Sequence, residues 1–248
     1  MSKITVRDLF LLGVFFALGA CSQSEQPIEV SEPGQSDASS SAATDTPAAA
    51  TAGLQLQALE WRNIGPFNGG RGTTVVGHPT DKMVFYFGHS SGGLWKTEDA
   101  GTIWEQVGAG QFNYASVGAM AISESNPDIM YVGLGEPQLR QSVSWGDGMY
   151  KSVDGGVTWE HIGLDDALHI ARVRVHPYNP DIVYVASMGH AFGPNEEKGV
   201  FRTQDGGESW ERVLFKNEGT GAIDLLMSPD DPNLLFAALW EFERKAWG

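Results

Sequence analysis

Three times between residues 93 and 211 the chain spells one string: Gly, aliphatic, aromatic, basic, Ser or Thr, then Asp, Gly, Trp and Glu at fixed offsets. The first copy is Gly93-Leu94-Trp95-Lys96-Thr97 with Asp99, Gly101, Trp104 and Glu105. The second is Gly148-Met149-Tyr150-Lys151-Ser152 with Asp154, Gly156, Trp159 and Glu160, and the third is Gly199-Val200-Phe201-Arg202-Thr203 with Asp205, Gly207, Trp210 and Glu211. The three aspartates are spaced by 55 and 51 residues. Self-similarity at that period means one supersecondary unit copied and stacked, and it restricts the chain to repeat architectures.

A weaker repeat runs out of phase with the first. Asp81, Asn126, Asn179 and Asp231 each open a turn, three of them followed by Pro127, Pro180 and Pro232. Each turn feeds an apolar segment, at 84–88, 129–133, 182–186 and 234–238, and each is preceded by another, at 73–77, 118–122, 171–175 and 222–227. The Gly, Thr and aromatic content and the lack of a 3.6-residue period disfavour helices. Four short strands per unit of roughly 50 residues is the pattern of a β-propeller blade. The expected fold is therefore all-β: an incomplete propeller within 54–248, with blades at about 72–110, 115–164, 169–215 and, in part, 220–248. Propellers close with four or more blades. Three and a half predict an open arc with an apolar face at each end, and a piece of a longer chain.

The shared residues point to a turn. A tight hairpin needs positive φ, which Gly supplies. A carboxylate and a hydroxyl accept backbone N–H bonds inside it, and Trp then packs beneath, between blades. Thr97, Asp99, Gly101 and Trp104 are thus structural, as are Ser152, Asp154, Gly156 and Trp159, and Thr203, Asp205, Gly207 and Trp210. In a four-stranded blade the second-to-third loops and the blade-to-blade connections share one rim, and the Asp turns lie on the other. A ligand site belongs with the long variable loops.

The string resembles the Asp-box of the bacterial-neuraminidase repeat. Over residues 59–248, Trp61-Arg62-Asn63-Ile64-Gly65-Pro66, Gly69-Gly70-Arg71, Ser91-Gly92-Gly93-Leu94-Trp95-Lys96, Ser144-Trp145-Gly146-Asp147-Gly148 and Gly193-Pro194-Asn195-Glu196-Glu197 are similar to sortilin-like bacterial propellers. That group resembles vacuolar-sorting-receptor and xyloglucanase-type propellers. The resemblance implies the fold and carries over no catalytic residue. No Arg-Ile-Pro segment precedes the first copy, which sets sialidase chemistry aside, and the xyloglucanase catalytic aspartates do not align onto these loops.

Residues 1–53 are unlike the array. Lys3 and Arg7, an apolar stretch over 9–18 and Leu18-Gly19-Ala20-Cys21 have the make-up of a secretory signal. The single cysteine resembles that of a bacterial lipobox, which implies lipidation of Cys21. Ser22 resembles outer-membrane sorting in Gram-negative bacteria, so the expected location is an outer-membrane-anchored lipoprotein, periplasmic or at the cell surface. Residues 22–53 contain no aromatic and no basic residue and are expected to form a disordered tether. One cysteine excludes an internal disulfide and a multi-Cys zinc site, no His-x-x-x-His pair occurs, and no cofactor or metal is expected. A formal charge of −15 disfavours nucleic acid as a partner, and the membrane is contacted only through the lipid.

The candidate loops are 89–92, 136–147, 189–198 and the segment from Trp240 onward, joined by the connections 111–114 and 165–169. Acids beside aromatics suit a sugar, and glycoside hydrolysis needs two carboxyl groups. The candidate carboxyls are Glu136, Asp147, Asp166 and Glu197, and the expected ligand face holds His89, Arg140, Trp145, His169, His190, Phe192 and Asn195. A complete scaffold without a recognisable catalytic set leads first to a non-catalytic binding module for a protein, peptide or glycan. The alternatives are a glycoside hydrolase acting on a polysaccharide through loop carboxylates, and an envelope-complex scaffold. Cys21→Ala is expected to move the protein from the membrane to the soluble fraction. An unlipidated wild type that stays membrane-bound, by mass spectrometry and fractionation, contradicts the anchor.

Overall fold

Alternating apolar residues between closely spaced turns produce strands and, among the described residues, no helix. The computed structural model describes residues 70–245 and 247, all within the unit Leu56–Gly248. The expected signal segment with Cys21, the tether and the segment around Trp61 lie outside the described residues. The strands are β1 (Gly72–Gly77), β2 (Phe85–His89), β3 (Leu94–Thr97), β4 (Glu105–Val107), β5 (Val117–Ile122), β6 (Met130–Leu134), β7 (Met149–Ser152), β8 (Glu160–His161), β9 (Ile170–His176), β10 (Asn179–Ser187), β11 (Gly199–Thr203), β12 (Glu211–Leu214), β13 (Thr220–Met227) and β14 (Leu235–Glu241). They form three four-stranded antiparallel meanders, β1–β4, β5–β8 and β9–β12, and the two-stranded sheet β13–β14. The first strands β1, β5, β9 and β13 lie against one another in succession, the radial stacking of an incomplete β-propeller.

The out-of-phase repeat is a row of Asx turns. Asp81, Asn126, Asn179 and Asp231 each accept the backbone N–H two residues on, from Met83, Asp128, Asp181 and Asn233, at 2.9–3.3 Å. In the third copy Asn179 pairs with His176. The hairpin there is tighter than the Asn-Pro spacing implied, and β10 begins earlier than expected.

The principal string is a self-satisfied turn in all three copies. Ser152 Oγ donates to Asp154 Oδ1 at 2.8 Å and accepts the Gly156 N–H at 2.9 Å. Thr97 with Asp99 and Gly101, and Thr203 with Asp205 and Gly207, repeat this. Asp154 also accepts from Val157 N, Thr158 N and Thr158 Oγ1; with the Thr158 hydroxyl as the largest cause, these bonds hold its carboxyl at about 2. Gly156 sits at φ 88°, where a side chain is strained.

These turns aim the tryptophans. Trp159 is buried in the core shared by the first two sheets, with Val84, Tyr86, Leu94, Met120, Met130, Val132 and Tyr150. Trp210 packs in the next core and donates Nε1–H across the sheet boundary to Ile162 O at 2.7 Å. The basic position of the string lies opposite the second-strand tyrosine: Lys96 pairs with Tyr86 and Lys151 with Tyr131, each Nζ within 6 Å of the ring centre at 5.9 and 5.7 Å. Trp104 departs from the expected inter-blade burial. It borders an open apolar hollow of about 240 Å³ with Val75, Phe87 and Trp95, because no described sheet lies on that side.

Strand register makes the two open ends of the arc complementary. Val75, Phe87, Trp95 and Trp104 occupy the places that Met120, Val132, Tyr150 and Trp159 hold in the second sheet, where the first sheet covers them. At the other end Leu226, Leu234 and Phe236 correspond to Val76, Val84 and Tyr86, yet they are exposed. The same repeat position is thus covered in one sheet and bare in another. Trp159→Ala is expected to cost about 3–5 kcal/mol, and Trp104→Ala at least about 1 kcal/mol less, by urea denaturation. Equal costs would contradict the arrangement.

Candidate functional site

The long loops and the inter-sheet connections meet on one rim, tied by backbone bonds. Gly93 N donates to Ala115 O and Gly135 N to Ser116 O, both at 2.8 Å, while Gly146 N donates to Leu168 O and Met188 N to His169 O at 2.9 Å. Gly135 is at φ 89°, and a Cβ there would collide with the Leu168 carbonyl. That close approach fixes where the 136–147 loop begins.

Glu136, the next residue, is fully buried. Its Oε1 accepts a close ion pair from Arg71 Nη2 and a longer one, 3.5 Å, from Arg140 Nε. Oε2 accepts the Ser144 N–H at 3.3 Å. A buried carboxylate is costly unless paired; here two guanidiniums share one acid, and the loop is pinned by the result. Arg71 also donates to Ser90 Oγ at 3.4 Å.

Above this clamp lies a groove of about 330 Å³ between the first two sheets, lined by Ser90, Ser91, Tyr114, Ser116, Ser144 and Trp145 among others. Tyr114 and Trp145 are exposed, whereas Ser116 is buried and its hydroxyl has no partner among the described residues. Two aromatic faces with hydroxyls between them form an amphipathic trough, matched to a ligand that is apolar on its faces and polar at its edges.

Asp147, at the end of the same loop, is turned inward. Oδ2 accepts from Tyr150 OH at 3.0 Å and from Asn113 Nδ2 at 2.7 Å. The carboxyls of Glu136 and Asp147 thus serve as anchors of the loop. The third loop gathers the other two acids. Asp166 accepts from Asn195 Nδ2 at 2.6 Å and shares a 2.8 Å contact with His190 Nε2. The Glu197 carboxyl is hydrogen-bonded by the backbone N–H groups of Asp166 and Ala167, but burial, reinforced by the charge of Asp166, pushes its pKa up. Its Oε2 is buried without a partner. Phe192 stands exposed on the same loop.

His89 and His169, expected on the ligand face, are sealed inside. His89 packs edge-on to Phe87 at 4.4 Å, and burial lowers its pKa. His169 is wholly buried, and burial, only partly offset by a backbone hydrogen bond with Glu136, pulls it down to about 4. Inward-facing strand ends, which loop composition does not reveal, account for both. Sequence reasoning also passed over Lys198, whose buried Nζ lies 4.3 Å over the Phe242 ring, and the site role of Arg71. Arg71 stood within the Gly69-Gly70-Arg71 motif, but the acid it meets is 65 residues away. Tyr114 was legible only as part of a connection. Among the described residues no group of His, Cys, Asp and Glu is arranged to hold a metal ion.

No protein-family model matches the chain. It is 25% identical over 191 residues to a xyloglucanase of Paenibacillus sp, covering 70% of this chain and 18% of that protein. It is 27% identical over 193 residues to a xyloglucanase of Hypocrea jecorina (strain QM6a), covering 71% and 21%. Among solved structures, an ancestral GH74 enzyme matches with a TM-score of 0.57 at 24% identity, over 73% of this chain and 23% of the other. The GH74 enzyme of Niastella koreensis matches at 0.52 and 16% identity, over 70% and 26%. The structural likenesses show the fold, and the chain spans about a fifth of the length of the xyloglucanases it matches.

His169 makes the rim sensitive to acid. Its pKa is about 4 in the folded chain against an ordinary 6.5, so the unfolded state binds the proton first. Its contribution to stability is complete above pH 6.5 and falls by about 3 kcal/mol between pH 6.5 and 4. Urea unfolding across that range is expected to show a loss in the wild type that is smaller by about 3 kcal/mol in His169→Leu. Parallel pH profiles would refute it.

Proposed function

We propose that this propeller arc is the polysaccharide-handling part of a glycoside hydrolase, with the loop rim as its working face. The observation that carries this reading is the meeting of Glu197 and Asp166 on that rim. One carboxyl is shifted toward its protonated form by burial and by its neighbour, and the other is oriented by His190 and Asn195. A carboxyl raised toward its protonated form beside a second carboxyl is an arrangement that suits acid–base chemistry at a glycosidic bond. In this reading Glu197 gives its proton to the leaving-group oxygen as the glycosidic C–O bond breaks, and Asp166 takes a proton from the water that adds to the sugar carbon. The Tyr114–Trp145 groove supplies a neighbouring subsite by stacking.

Sequence similarity to xyloglucanases supports a glycan as ligand. The repeated turn is read as an Asp-box that serves the scaffold. The exported lipoprotein reading complements this: a lipid on Cys21 and a tether over 22–53 would hold the rim away from an outer membrane, within reach of polymer.

A second reading, a glycan-binding propeller without turnover, is favoured by one observation. The described contacts of Glu136 and Asp147 commit both carboxyls to the loop scaffold.

Reducing-end release from a panel of plant and microbial polysaccharides tests the pair. Glu197→Gln and Asp166→Asn are each expected to lower turnover by about 10²–10⁴-fold while binding by affinity electrophoresis persists. Turnover retained in both variants removes the pair from the mechanism. Binding without wild-type turnover selects the second reading.

A further inference from the structure

The groove on the rim carries a charge that a neutral sugar does not need. Glu136 is a single buried negative charge set between two guanidiniums, Arg71 and Arg140. Arg71 is the closer partner and is also held by Ser90. Arg140 reaches the acid only through Nε at 3.5 Å, and its side chain is 49% exposed. That is the one polar contact of Arg140 among the described residues, and among them its terminal nitrogens have no acceptor. One positive charge is therefore left uncompensated at the rim of a chain whose formal charge is −15. The nearest other acid of the loop, Asp147, is turned toward Tyr150 and Asn113.

This surplus adjoins the aromatic trough. Ser144, whose N–H bonds Glu136, lines the groove and precedes Trp145, and Ser90, bonded by Arg71, lines its other side. The buried Ser116 hydroxyl without a partner lies in the same groove. An exposed aromatic face takes the apolar face of a pyranose ring. A guanidinium with two free terminal nitrogens is the side chain best shaped for a carboxylate, which it binds with two parallel hydrogen bonds.

We propose that the Tyr114–Trp145 groove binds a glycan bearing uronic acids, its ring stacked on Trp145 and its carboxylate paired with Arg140. This rests on the reading of the rim as glycan-binding and names the class of sugar; it departs from the neutral polymer named for the similar xyloglucanases. Ligand binding would give Arg140 the acceptor that Glu136, shared with Arg71, supplies only in part.

Titration calorimetry of the full chain with polygalacturonate and with carboxyl-reduced polygalacturonate isolates the carboxylate, with xyloglucan as the neutral reference. Binding to the acidic polymer is expected to be at least about 10-fold tighter than to its reduced form and to weaken with added salt. Arg140→Gln should erase that margin in a chain that still unfolds cooperatively, Arg140→Lys should restore part of it, and Trp145→Ala should weaken both forms. Equal affinity for the two forms, or a margin unaltered in Arg140→Gln, overturns the proposal while glycan binding stands. If none of the three polymers binds, the glycan reading falls together with this one.

Discussion

The packing of one four-stranded sheet against the next is what the rest of the structure depends on. A single blade has two apolar faces and no interior of its own, so its core exists only where a neighbour lies against it. Tyr86 and Tyr131 are buried because the second and third sheets cover them, and Trp159 is buried because the first sheet does. Burial of one such side chain contributes about 1.5–3 kcal/mol, and each of the first two interfaces gathers about ten buried residues. The positions of the repeated string serve this contact. Gly lets the turn reverse, Ser or Thr and Asp satisfy its N–H groups, the basic residue lies over the tyrosine, and Trp is delivered to the seam.

Because the sheets are held so firmly, their loops can carry unfavourable groups. Glu136, His169, Lys198 and the Glu197 Oε2 are polar groups buried at the rim, and each costs free energy that a flexible loop would shed by opening to water. The backbone bonds from Gly93, Gly135, Gly146 and Met188 to the adjoining connections prevent that opening. Rigid loops over a stacked scaffold also set the Tyr114 and Trp145 faces around the same groove, although 31 residues separate them in the chain. Buried polar groups gathered on one rim, with the opposite rim built of self-satisfied turns, make the two rims unlike.

Much of this was legible from residues alone, where the signal was local and repeated. The Asp–x–Gly–x–x–Trp spacing encodes a turn whose hydrogen bonds close within five residues, so Ser152, Asp154 and Gly156 declare their roles without a partner elsewhere. The same holds for the Asx turns at Asp81, Asn126, Asn179 and Asp231. His89 and His169 show the limit. They stand at strand ends among polar loop residues, and only the path of the backbone turns them inward. Trp104 shows another, since it holds the same position of the repeated string as Trp159 while its burial depends on whether a sheet lies beyond it.

By itself, then, the sequence determined the strand count, the order of the meanders, the turn chemistry and the rim that the long loops share. These follow from contacts between residues close in the chain, and every copy of the repeat states them again. The tertiary structure decided which acids are spent on the scaffold and which meet on the rim. Arg71 finds Glu136, Asp166 gathers His190 and Asn195, and Trp145 faces Tyr114 only when successive blades are stacked. Such pairs form across tens of residues in loops that do not repeat, so no periodicity records them, and their geometry is set by the packing of the sheets beneath.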